Sequence, residues 1–178
     1  MAKEIEVKVL NIDLDEMEDR LIKLGANLIS KEYQINTIFD SKDNYINEDL
    51  NSYLRIREIK DLLTEEVHIN LTLKQNIGSE AIRQNIETTT EIGDKKAMIS
   101  ILESLRYEII GEGYKYRTSY VYENIRFDLD RWDENTYPYP YMEIEVENEE
   151  DLEKAIELLE IDRKNISTKS IIQLKENL

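Results

Sequence analysis

The sequence predicts an α+β domain: an antiparallel sheet of about eight strands closed into a barrel or tunnel, with helices packed outside. Three observations lead there. Charged and apolar residues alternate with a period of two in stretch after stretch, beginning with Glu4-Ile5-Glu6-Val7-Lys8. Amphipathic helical patterns are few and fall between those stretches. The order strand, helix, run of strands occurs twice, dividing near Glu91.

The elements follow in order. Residues 3–10 form the first expected strand, with Glu4, Glu6 and Lys8 on one face and Ile5 and Val7 on the other. Asp13 opens a helix on Leu14, Met17, Leu21, Ile22 and Leu24; Asp13 with Glu16 resembles a capping box, and Gly25 stops it. Residues 28–40 alternate, with Tyr33, Ile35 and Thr37 on one face, and 40–51 is polar and loop-like. Strands are expected at 53–57, 68–74 and 82–87, with a turn over 75–80. Asp94 opens a second helix to about Leu105 on Met98, Ile101, Leu102 and Leu105. Further strands are expected at 114–122, 125–132 and 141–147. Asn148 then caps a helix over about 149–160 on Leu152, Ile156 and Leu159, and a short helix follows from Thr168.

The 178 residues suit one domain made of two halves similar in plan, about 1–91 and 92–178. Five Gly and two Pro leave no room for a flexible linker. A formal net charge of −16 argues against nucleic acid or an anionic membrane as partner. It leaves open an anionic small molecule in a cleft whose own cations set the local field. No apolar run approaches the ~20 residues of a membrane span, and the start carries no apolar signal region, so a cytoplasmic location is expected. The absence of Cys removes disulfides, thiolate metal sites and cysteine nucleophiles, and the single His68 argues against a His-based metal site or a Ser-His pair.

The helices need apolar surface to cover, and the strands offer it in Ile5, Val7, Leu54, Ile56, Leu71, Leu73, Leu129, Ile144 and Val146. The charged faces then meet bulk water or line a wet interior. Solvation explains any one strand, but the ensemble looks sorted by task. Lys8, Arg55, Arg57, Lys74, Arg83, Lys115, Arg117 and Arg126 stand against Glu4, Glu6, Glu87, Asp128, Asp130, Glu143, Glu145 and Glu147. Unpaired charges in a dry interior are costly, so such a cavity must be hydrated and its charges paired or occupied by ligand. Arg forks and Lys ammonium groups suit phosphate oxygens. Carboxylates without His or Cys suit hard cations such as Mg²⁺ or Mn²⁺. Together they describe a site for a metal-bound polyphosphate.

Glu4-Ile5-Glu6-Val7-Lys8 resembles the ExExK signature of the CYTH superfamily, the triphosphate tunnel metalloenzymes. The resemblance continues in order through Leu54-Arg55-Ile56-Arg57, Leu71-Thr72-Leu73-Lys74, Arg83 with Glu87, Lys115-Tyr116-Arg117, Leu129-Asp130-Arg131 and Glu143-Ile144-Glu145. It implies an eight-stranded tunnel that binds a triphosphate with divalent metal. By position, Glu4, Glu6, Asp130, Glu143 and Glu145 would hold Mg²⁺ or Mn²⁺. Lys8, Arg55, Arg57, Lys74, Arg83, Lys115 and Arg117 would grip phosphates, and Glu4, Glu6 and Lys8 would serve catalysis.

The favoured reading is a phosphohydrolase acting on tripolyphosphate, thiamine triphosphate or ATP. The first alternative is a class IV adenylate cyclase, for which Tyr33, Phe39 and Tyr53 are the candidate adenine neighbours, although core or rim packing accounts for each more simply. The second is a non-catalytic polyphosphate or nucleotide binder. Residues 133–141 read DENTYPYPY where cyclase-like members carry a Leu-Gly turn, and Ser170-Ile171 stands where they often have Ser-Tyr. Both departures weigh against the cyclase. Plainer roles suffice elsewhere: His68 at a strand end, and Trp132 with the tyrosines of 137–141 in a locally packed loop open to use as a rim or a homodimer contact.

Overall fold

The alternating stretches pair into one closed ring. The computed structural model describes residues 3–77 and 84–178, the side chains of residues 3 and 4 excepted. Its strands are β1 (Lys3–Val9), β2 (Asn27–Ser41), β3 (Ser52–Asp61), β4 (Val67–Asn76), β5 (Gln84–Glu91), β6 (Tyr107–Tyr122), β7 (Ile125–Trp132), β8 (Tyr141–Val146) and the short β9 (Ile166–Ser167). The helices are α1 (Leu14–Leu24), α2 (Tyr45–Glu48), α3 (Lys95–Ser104), α4 (Glu149–Leu158) and α5 (Ile171–Lys175). The order β5-β4-β3-β2-β6-β7-β8-β1 is closed by pairing of β1 with β5, giving an eight-stranded antiparallel barrel. One edge of β1 is taken by β8; its other edge is divided between β5, at Lys3 to Ile5, and β9, at Lys8 and Val9.

The core lies outside this ring, between the apolar strand faces and the helices. Asp13 accepts the Glu16 N–H at 3.0 Å, and Gly25 ends α1 at φ 88°. Only half of the expected capping box forms, because the Glu16 carboxylate takes Arg20 at 2.6 Å instead. Met17 and Leu21 of α1 and Ala155 and Ile156 of α4 press onto Ile5, Val7, Phe127, Leu129 and Ile144. Each fully buried aliphatic side chain of this kind contributes roughly 1.5–3 kcal/mol. Across the barrel, Leu102, Met98 and Ile99 of α3 cover Phe39 and Ile56.

Several boundaries depart from expectation. The polar stretch 40–51 contains α2, which the buried Asp40 holds by accepting the N–H groups of Ile46 at 2.9 Å and Asn47 at 3.0 Å. β6 begins seven residues earlier than expected, at Tyr107: Gly111 and Gly113 stay in the ladder with β2 rather than breaking it. Ile101 and Leu105 are 52% and 62% exposed, so the apolar stripe of α3 turns through Ile99 instead. Gln75 and Asn76 extend β4 where a turn was expected. The last helix starts at Ile171, capped by Ser170, after a 3-10 turn at Arg163–Asn165 and β9. Residues 78–83, with the expected start of the strand at 82, lie outside the described residues.

Candidate active site

The second face of every strand points into the barrel. The ladders fix who meets whom there: Lys8 lies opposite Glu143, Glu6 opposite Glu145, Arg117 opposite Asp130, Lys74 opposite Glu87, and Arg57 opposite Asn36. These side chains enclose a cavity of about 820 Å³. Glu6, Lys8, Arg55, Arg57, Lys74, Lys115, Arg117, Glu143 and Glu145 all line it, together with Glu87 and Arg126. Asp130, 0% exposed, sits behind this lining. Glu147 lies past the end of β8 and is exposed. The side chain of Glu4 and the whole of Arg83 lie outside the described residues.

Most charges are paired. Lys8 Nζ donates to Glu6 Oε1 at 2.8 Å and stands 3.1 Å from Glu143 Oε1. Lys74 Nζ donates to Glu6 Oε2 at 2.8 Å and stands 2.7 Å from Glu87. Arg117 is ringed by Asp128 at 2.6 Å, Asp130 at 2.6 Å and Glu143 at 2.5 Å. Lys115 Nζ donates to Asp130 at 2.9 Å. Arg55 and Arg57 differ. Arg57 Nε donates to Asn36 Oδ1 at 2.8 Å and Arg55 Nη1 to Tyr53 Oη at 3.4 Å, and among the described residues neither has a carboxylate within ion-pair reach.

The protonation equilibria follow this division. Burial works against the charge of Arg117, yet Asp128, Asp130 and Glu143 carry its pKa well above the ordinary value. Burial likewise opposes the Glu143 carboxylate, and Lys8 and Arg117 still hold it well below the usual range. Burial depresses Arg57 to about 9, with repulsion from Arg55 and Arg117 adding to it. Lys115, 2% exposed, is pushed down to about 7 by burial and then by Arg117, against the pull of Asp130.

Aromatic and helical groups line one part of the cavity. Lys115 Nζ lies 5.0 Å from the Trp132 ring centre, and Trp132 Nε1 donates to the buried Tyr141 hydroxyl at 2.7 Å. Leu174 of α5 packs on Tyr137 and Tyr141, while Ser170, Ile171 and Lys175 reach the cavity. Of the three candidate adenine neighbours only Tyr53 lines the cavity. Phe39 is in the outer core, and the Tyr33 ring packs tilted against Tyr116 with centres 5.0 Å apart. His68 is half-exposed near the start of β4, 3.3 Å from Glu91. Sequence reasoning missed Asn36, although Gln34, Asn36 and Ile38 fall on the face of β2 opposite Tyr33, Ile35 and Thr37.

Among the described residues no group of three acidic or histidine side chains is arranged to hold a metal ion. The donor set nevertheless suits a hard cation: Glu6, Glu143 and Glu145 bring only carboxylate oxygens to the cavity. Lys8, Lys74 and Arg117 now occupy oxygens of Glu6 and Glu143, and an entering ion would exchange with them.

No curated protein matches this sequence. Solved structures do match the fold. The PH1012 protein of Pyrococcus horikoshii is 22% identical, with a TM-score of 0.78 over 96% of this chain and 98% of its own. A protein of Vibrio parahaemolyticus, provisionally described as an adenylate cyclase, is 17% identical with a TM-score of 0.76 over 98% of both chains. HpAC1 of Hippeastrum, a provisional adenylyl cyclase with a dominant triphosphatase activity, is 19% identical with a TM-score of 0.70 over 99% of this chain and 96% of its own. The family model of the CYTH domain matches residues 2–173. With that match over nearly its whole length and the closed barrel described above, the chain belongs to the CYTH family.

Proposed function

We propose that the protein is a divalent-metal-dependent phosphohydrolase that cleaves a triphosphate bound in the barrel cavity. The observation that carries this reading is the pair Arg55 and Arg57, two cavity-lining guanidinium groups that make no ion pair with a carboxylate among the described residues, Glu87 acting on them only from beyond ion-pair distance. A polyanion supplies the missing countercharge. Lys8, Lys74, Lys115 and Arg117 extend the cationic surface from there, so a chain of phosphates can lie along the wall. The triphosphatase activity of the similar Hippeastrum protein adds weight.

Glu6, Glu143 and Glu145, with Glu4 and Asp130 from the sequence pattern, are the residues that would hold Mg²⁺ or Mn²⁺. When bound, the ion neutralises phosphate oxygens and polarises the phosphorus centre. The chain's own part is fixed in advance: its arginines and lysines neutralise charge on the phosphate oxygens and hold the anhydride straight. In hydrolysis the oxygen of a water molecule forms a new P–O bond as one bridging P–O bond breaks; the bridging electron pair leaves on the departing phosphate, and the proton lost by the water passes to solvent or to a phosphate oxygen.

Cyclisation of ATP is the second reading, favoured by Tyr53, whose ring faces the cavity beside Arg55 at 5.4 Å. Phosphate release from tripolyphosphate, thiamine triphosphate and ATP, measured with Mg²⁺ and with Mn²⁺, tests the first reading. Cyclic AMP from ATP would replace it with the second, and turnover of none of the three would end both.

A further inference from the structure

Asn36 faces Arg57 across the β2–β3 ladder, and its Oδ1 accepts the Arg57 Nε–H at 2.8 Å. A guanidinium has donors only. The bond therefore decides which end of the amide faces the arginine, because a rotated amide would set its NH₂ against Nε–H. The far end, Nδ2, is a donor. It is buried and has no partner among the described residues. Asn36 is 2% exposed and lines the cavity. On the adjacent inward position of β3, Arg55 Nε is likewise buried without a partner. An acceptor two residues away on β2, Gln34 Oε1, also has no partner among the described residues, so the two amides do not satisfy each other. A buried donor left unmet is costly, and here it lies beside Arg55 and Arg57, which make no ion pair with a carboxylate among the described residues.

We propose that Asn36 is a substrate-positioning residue, which holds the Arg57 guanidinium in place and gives its own Nδ2–H to an oxygen of the same bound phosphate chain. This rests on the reading of the cavity as a triphosphate site. It assigns to a neutral residue the task of orienting one arginine of the pair. It also predicts that the Asn36–Arg57 end of the cavity reads oxygen position as well as charge.

The test is calorimetric titration of the full chain with inorganic tripolyphosphate, in metal-free buffer and with Mg²⁺, for wild type, Asn36→Ala and Asn36→Asp. Asn36→Ala is expected to weaken binding about tenfold. Asn36→Asp keeps the shape and the acceptor for Arg57, loses the donor and adds a negative charge, so it is expected to bind more weakly still. In an Arg57→Met background, Asn36→Ala should still cost about threefold, the share owed to the direct bond. Thermal melting checks folding, and the near-isosteric Asp variant keeps the test sound if the Ala variant folds poorly. If wild type binds and both variants bind within twofold of it, the role of Asn36 is overturned while the site reading stands. If the loss vanishes in the Arg57→Met background, the direct bond is overturned. If a water bridges the two amides instead, Asn36→Ala lowers stability alone, which also overturns the proposal. No binding by wild type under either condition overturns the site reading itself.

Discussion

Arg117 meets Asp130 through two nitrogens at once, Nε at 2.7 Å from Oδ1 and Nη2 at 2.6 Å from Oδ2. Lys115 takes the second oxygen as well, at 2.9 Å. One carboxylate with no exposure thus answers two buried cations. Asp130→Ala should destabilise the fold by about 1–3 kcal/mol, because Lys115 loses its carboxylate and Arg117 its two-point partner, while Asp128 and Glu143 still answer the Arg117 charge. Urea unfolding at neutral pH measures this.

Removal of Arg57 should act in the opposite sense. Burial and two neighbouring arginines already disfavour its charge, so Arg57→Met should leave stability unchanged or raise it. Tripolyphosphate affinity should fall tenfold or more. The linkage has a sign that can be checked. A cation whose folded pKa is lowered to about 9 is penalised in full below that pH. The penalty is relieved as pH rises through about 9 toward the ordinary arginine range, so wild-type stability gains relative to Arg57→Met across that window. Melting curves of the two proteins, taken in parallel against pH, give the difference.

Two glycines of β6 should respond differently to a methyl group. A Cβ on Gly113 would lie 2.5 Å from Thr136 Oγ1 and 3.1 Å from the Trp132 ring. Thr136 is itself tied to Asp133 at 2.7 Å and cannot simply turn away. Gly113→Ala should therefore cost about 1–3 kcal/mol and shift the emission of Trp132, the chain's single tryptophan. A Cβ on Gly111 meets nothing within 4 Å, and Gly111→Ala should be neutral or stabilising by about 0.4–1 kcal/mol. Chemical denaturation followed by tryptophan fluorescence reads both.

Tyr120 offers a pH test away from the cavity. Burial, then its hydrogen bond to Glu18 at 2.7 Å, raises its pKa to about 12. The neutral phenol is the form the fold favours. Its contribution is fully present below about 10 and is lost as pH rises from about 10 to about 12. Tyr120→Phe should be less stable than wild type at neutral pH and should close that gap over the same window, which paired alkaline melts would show.

The barrel was legible because its two faces differ so sharply in chemistry: Glu6 and Lys8 against Ile5 and Val7 leave no doubt about a period of two. The caps at Asp13, Asp94 and Asn148 were legible for a similar local reason, each accepting the N–H three residues on. The first half of β6 was not, because Glu108, Ile109, Ile110 and Gly111 carry no alternation, and its ladder partner is more than sixty residues away on β2. α2 is shorter than any periodic window. In the cavity, the identity of the charges was legible but their pairing was not. Nothing in the linear order says that Lys74 would be satisfied by Glu6 while Arg57, on the next strand, would donate to an amide and make no ion pair among the described residues. Asn36 escaped notice because an uncharged residue gains meaning only from the arginine across the ladder.

β1 precedes the other barrel strands in the chain, yet its partners lie at residues 84–86, 142–146 and 166–167. Pairing with β5 becomes available first, but the longer ladder with β8 and the contact with β9 must wait until residues 142–167 have been made. Contacts of such long reach are slow to form, so closure of the ring is expected to be a late event in synthesis. Glu6 and Lys8 ride on that strand, and the cavity gains its acidic wall only at closure. A nascent or truncated chain carries the arginines of β3 without the carboxylates of β1 and β8 lining the same cavity.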